Sequence, residues 1–141
     1  MSKVIWKAGL PAFLFFFGVL GAASAQDLII SELMAVNNGT IEDEDGNTPD
    51  WLELFNAGDS AQNLSGYFLS DDPLVPEKWR FPSVSIAPGG FLLIFASDKD
   101  RRNANSELHT NFKLSSSGEF LGLFAPDGET IVDQIDPFPE L

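Results

Sequence analysis

Beyond residue 26 the chain never holds a helical period for ten residues; it runs in short apolar stretches cut by Gly, Pro, Asn and Asp. That restricts it to an all-β fold, since a strand needs only roughly four to eight residues between turns, whereas a helix needs a sustained apolar stripe. Eight strands are expected, at residues 28–35, 51–56, 64–70, 78–81, 91–96, 109–114, 119–125 and 130–134. Alternation within 51–56 puts Trp51, Glu53 and Phe55 on one face and Leu52 and Leu54 on the other. The aromatics mark the first face as the core side, with Glu53 a partly buried carboxylate held by N–H or hydroxyl donors. Ala87-Pro88-Gly89-Gly90 reads as a type II turn, and Pro126-Asp127-Gly128 as the tight turn of the last hairpin. Leu64-Ser65-Gly66-Tyr67 reads as a loop-to-strand corner. Short strands at this spacing build a sandwich or a barrel.

The first 25 residues belong to a different class of segment. Lys3 and Lys7 precede an apolar run over 8–20, and Ala23-Ser24-Ala25 supplies the small-x-small pattern cut by a signal peptidase. The run is 13 residues long, short of the ~20 that cross a bilayer. A cleaved signal-peptide helix over 1–25 is therefore expected, with one domain over 26–141, an exported location and no membrane attachment after cleavage. Without its two lysines the domain keeps 6 basic against 21 acidic residues, a formal charge of −15. Such a surface repels phosphate backbones and anionic membranes, which disfavours nucleic acid as a partner. There is no cysteine, so no disulfide staples the fold and no lipidated cysteine anchors it. Thirteen Phe and three Trp, most of them beyond the leader, supply the apolar area instead.

Between residues 50 and 72 the pattern becomes specific. Asp50-Trp51-Leu52-Glu53-Leu54-Phe55-Asn56, then Leu64-Ser65-Gly66-Tyr67-Phe68-Leu69-Ser70-Asp71-Asp72, resembles the lamin-tail domain of bacterial exported proteins. Ile30-Ser31-Glu32, Asp45-Gly46, Trp79-Arg80-Phe81-Pro82, Ala87-Pro88-Gly89-Gly90-Phe91, His109-Thr110-Asn111-Phe112-Lys113-Leu114 and Gly118-Glu119 agree in order. The resemblance implies an immunoglobulin-like β-sandwich without a catalytic centre, an interaction or adhesion module for a protein or surface polymer. Relatives often accompany hydrolases, nucleases or surface-attachment domains, so an accessory role beside such an enzyme is a further reading. Relatives also run on through a Ser-Tyr-Gly-Arg-like segment, whereas this chain stops at Pro137-Phe138-Pro139-Glu140-Leu141. A last strand missing there would leave an edge open to association.

The acidic stretch Glu42-Asp43-Glu44-Asp45-Gly46-Asn47-Thr48-Pro49-Asp50 is the best candidate for a site. Contiguous carboxylates repel, and a hard dication would relieve them, with Asp43, Asp45, Asn47 and Asp50 as calcium ligands. The helix-loop-helix calcium pattern is absent, and a solvated loop turning at Asp45-Gly46 is the plainer alternative. No other cofactor is implied. His109 is the only histidine, too few for a nitrogen-and-sulfur zinc site. No Gly-x-Ser-x-Gly elbow supports a hydrolase. His109 is expected to begin a strand and bond loop backbone.

Overall fold

The computed structural model describes residues 3–6, 27–118 and 120–136, for 3–6 the backbone alone. Every regular element among them is a strand: β1 (Lys3–Trp6), β2 (Leu28–Val36), β3 (Asp50–Asn56), β4 (Gln62–Asn63), β5 (Phe68–Ser70), β6 (Trp79–Arg80), β7 (Ser85–Ile86), β8 (Phe91–Ala96), β9 (Leu108–His109), β10 (Leu121–Phe124) and β11 (Ile131–Ile135). They form one sheet in the order β1-β2-β3-β8-β9, a second in the order β11-β10-β5-β6, and the small pair β4-β7. This is the immunoglobulin-like sandwich anticipated from the sequence. No helix among the described residues is long and apolar enough to cross a membrane. Of the leader, residues 3–6 form a strand rather than part of the expected helix; residues 7–25 lie outside the described residues, as do 137–141.

The core lies between the two large sheets. Ile30, Leu33, Leu52, Leu54 and Ile94 from the first meet Leu69, Trp79, Leu121 and Leu123 from the second, all fully buried. Trp79 packs edge-on against Phe81 with ring centroids 4.9 Å apart. Along β2 a strict period of two would turn half the strand inside out. Leu28 and Ile30 face the core, yet so do Leu33 and Ala35. The register shift between Ile30 and Glu32 accounts for this: a bulge at Ser31 inserts one residue and keeps both halves facing inward.

The structure corrects the face assignment on β3. Leu52 and Leu54 enter the main core, while Trp51 lies on the opposite side of the sheet in a small cluster with Met34 and Phe95. Phe55 is half-buried against the exposed Phe91, centroids 4.8 Å apart. Glu53 is half-buried as well, accepting a 3.2 Å hydrogen bond from the Ser31 hydroxyl. Size misled the reading: the aromatics are larger, but the branched aliphatics fill the narrow space between sheets.

The turns follow expectation. Gly90 N–H reaches Ala87 O at 2.8 Å with Gly89 at φ 71°, which defines the type II turn. The corner at Leu64–Tyr67 closes through Tyr67 N–H to Leu64 O at 2.9 Å, with Gly66 at φ 83°. Residues 64–67 are therefore not strand, and the strand expected at 109–114 stops at His109. Beyond it the chain is stitched to β8 by Thr110 N–H to Phe95 O, 2.8 Å, and a bridge between Ser97 and Lys113. β4 and β7, two residues each, are too short to leave an alternating signature and were not foreseen.

The two faces of β3 can be told apart by mutation. Leu54→Ala should cost about 2–5 kcal/mol. Phe55→Ala, though it deletes more atoms, should cost less because its ring is half in water. Denaturant midpoints at constant m-value measure both, and an equal or larger loss for Phe55 would reverse the assignment.

Candidate functional site

The loop from Asn37 to Pro49 folds back over the outer face of the first sheet. Asn37 is buried, and its side-chain amide donates to Ile41 O (2.7 Å) and Pro49 O (3.0 Å). Its Oδ1 accepts from the Gly39 and Thr40 N–H groups. These bonds hold Ile41 against the Met34, Trp51 and Phe95 cluster. The acidic stretch is thus anchored at both ends by an apolar contact and a buried amide.

Within it, Asp43 organises a tight turn. Gly46 N–H donates to Asp43 O at 2.9 Å, with Gly46 at φ 77°. Asp43 Oδ1 accepts from the N–H groups of Asp45 (3.0 Å) and Asn47 (2.9 Å). Its side chain is wholly buried. Burial by itself would raise this carboxyl, but Lys99 and the two N–H donors together hold it below the ordinary value.

Three of the four residues expected as calcium ligands do converge. Lys99 Nζ lies 2.5 Å from Asp43 Oδ2, 2.8 Å from Asp45 Oδ2 and 2.9 Å from Asn47 Oδ1. The positive charge at their meeting point is therefore an ammonium of the same chain. Asp50 is not among them. It sits on β3 opposite Ala96 and lines an open groove of about 350 Å³ with Asn47, Thr48, Lys99 and Lys113.

Arg101 adds a second cation two residues along. Its guanidinium bonds Glu44 Oε1 at 2.5 Å and Asp45 Oδ2 at 2.7 Å. Hydrogen bonds from Arg101 and then Lys99 hold Asp45 below the ordinary carboxyl value. The loop that presents both cations is constrained. Asp98 and Asp100 adopt left-handed conformations at φ 66° and 52°, and Arg101 exchanges two 3.0 Å backbone bonds with His109. Asp100 Oδ1 also accepts from the Trp79 indole N–H at 3.2 Å, tying the loop to the core.

His109 completes the network. It is fully buried, stacked on Phe95 with centroids 5.2 Å apart. Nε2 lies 2.8 Å from Glu44 Oε2, and Nδ1 2.8 Å from Ser97 Oγ. Burial opposes ionisation of Glu44, but its bonds to His109 and Arg101 win and hold it far below the usual carboxyl range. An ionised carboxylate only accepts, so Nε2–H of the imidazole is the donor in this contact. Burial, and next the shared hydrogen bond to Glu44, push the neighbouring Glu107 up. Asp43, Glu44 and His109 bring one ligand atom each within 4.8 Å of one another, but every one of these atoms already has a partner. The sequence reading singled out the carboxylates and missed Lys99, Arg101 and Ser97. The spacing Lys99-Asp100-Arg101, which sets two cations one residue apart in a chain with few of them, was the signal to find two of them.

The matching region now has both a fold and a chemistry. Residues 21–138 match the lamin tail domain family. The chain belongs to that family. No curated protein matches it. The match accounts for the sandwich and for the ordered motifs from β2 to β11.

Two outcomes check the charge network. Lys99→Met should empty the point where three oxygens meet, so that millimolar calcium raises the melting temperature of the variant but not of the native chain. Calcium stabilisation of the native chain by several degrees would show that a metal displaces Lys99. Depressed carboxyls stabilise the fold above their ordinary values, and that stabilisation is lost as pH falls through the folded ones. The deficit of Asp43→Asn relative to the native chain should therefore be greatest near pH 7 and close below about pH 4. Urea titrations at a series of pH values read it out.

Proposed function

We propose that this lamin-tail domain is an exported, non-catalytic interaction module that holds a protein or surface polymer through its edges and loops. The family supports an immunoglobulin-like interaction domain in general. The observation that carries the finer reading is the closure of the charge network. The one histidine is fully buried with both ring nitrogens engaged, and Asp43, Glu44 and Asp45 of the acidic loop are held by Lys99 and Arg101. The groups that would carry acid–base or nucleophilic chemistry are thus used to hold a loop against a sheet. Ser97, His109 and Glu44 line up as a hydrolase's residues would, yet a catalytic serine must be reachable by substrate, and Ser97 is buried.

Export rests on the leader: Lys3, Lys7, the apolar run and Ala23-Ser24-Ala25. Intact-mass measurement of chain recovered outside the producing cytoplasm should find it beginning at Gln26. A mass corresponding to the full 141 residues in that fraction would sink the export reading. For the non-catalytic reading, His109→Gln should lower the melting temperature and leave partner capture by the folded variant unchanged.

A further inference from the structure

Strand β2 has two different neighbours, and only one belongs to the family's domain. On its inner side β3 pairs with it from Leu28 to Met34. On its outer side the N-terminal half is closed by the second sheet: the buried Asp133 of β11 accepts the Ile30 N–H at 2.8 Å. The remaining stretch, from Glu32 to Val36, is covered by β1 in antiparallel register, Trp6 opposite Glu32, Ile5 opposite Leu33, Val4 opposite Met34 and Lys3 opposite Val36. The family match begins at residue 21, so this covering strand lies outside it. It also lies within the leader that the export reading removes.

We infer that the Glu32–Val36 edge is a strand-accepting site, filled by residues 3–6 in the precursor and, after their removal, by an extended apolar segment of another protein flanked by Lys or Arg. The inference rests on the export reading proposed above for the removal step and deepens its partner assignment. Several observations support it. An edge strand presents a row of unpaired N–H and C=O groups, and pairing with an added strand satisfies them. Leu33 and Met34 at the centre of the edge are buried, so this stretch is fixed in register by packing on both faces of the sheet and cannot twist away. The segment now seated there is Lys3-Val4-Ile5-Trp6 followed by Lys7, apolar in the middle with cations at either end. A formal charge of −15 on residues 26–141 favours a basic strand and opposes self-association of two such domains.

Amide hydrogen exchange on the full chain tests this. Val4→Pro/Ile5→Pro removes two adjacent N–H groups of β1, one of which faces β2 in an antiparallel pair, so the double variant loses a ladder bond whichever of the two it is and the strand should let go. Amides of residues 32–36 should then exchange at least about tenfold faster, while those of β3 and β8 stay slow and report an intact sandwich. A peptide of residues 1–8 added in trans should restore the slow rates. Its counterpart with Lys3 and Lys7 replaced by Glu should bind at least about tenfold more weakly at low salt. Unchanged exchange at 32–36 in the double variant would overturn the inference, as would failure of the peptide to restore it. Protection regained through dimerisation of the variant would replace the foreign strand by a second copy and overturn the assigned partner. An exported chain that still carries residues 1–25 would sink the export reading and with it the replacing strand, while the exchange experiment, which does not depend on cleavage, separately decides whether residues 3–6 fill the edge.

Discussion

β3 lies between β2 and β8, and its two faces have different work to do. Leu52 and Leu54 go inward, where with no disulfide in the chain the meeting of two apolar sheet faces is what stabilises the fold. Trp51 goes outward and would lie bare in water on a simple two-layer sandwich. It is covered instead by the loop after β2, through Ile41 and the buried amide of Asn37. That cover is made of a run of acids, which by themselves would push the loop off the sheet. Lys99 and Arg101, carried by the segment after β8, supply the opposing charge. The outer cluster, the acidic loop and the cationic segment therefore depend on one another, and each would be unstable alone.

This dependence explains what the sequence could and could not disclose. Strand existence was legible because turn chemistry punctuates it: the Pro88-Gly89 turn and the Asp127-Gly128 turn both fall where expected. The sandwich was legible through the ordered motifs. Face assignment failed at Trp51 and Phe55 because size is a poor guide when a loop can bury an aromatic on the outer face of a sheet. The bulge at Ser31 was invisible because it inserts a single residue and leaves hydrophobic residues on either side. The acidic stretch was legible as a run of charge, but its counter-charges lie more than fifty residues away, and pairing at that separation leaves no local pattern.

A self-neutralised cluster of this kind has a cost and a use. Burying Asp43 against Lys99 desolvates both, so the pair contributes less to stability than its short distance suggests. What it fixes is position. With Asp43 taking two loop N–H groups and one ammonium, the loop has one arrangement of its hydrogen bonds rather than several. His109 adds to this by bridging Ser97 on one side and Glu44 on the other. The polar network and the apolar cluster beneath it act on the same loop from opposite sides.

Rigidity there changes what the domain can offer a partner. A preorganised surface loses less conformational entropy on binding than a mobile acidic loop would. Fixed carboxylates that already hold cations are also poor general traps for further ones, so on the proposed reading the net negative charge acts at a distance, steering basic partners rather than gripping them. On that reading grip comes from directional contacts, and backbone groups at a strand edge are directional contacts of this kind. The sheet closes one half of β2 with Asp133 and leaves the other half to a strand from outside the family's domain. If that half accepts a foreign strand as proposed, long-range charge and short-range strand pairing fall to different parts of the same sheet, one selecting what approaches and the other what stays.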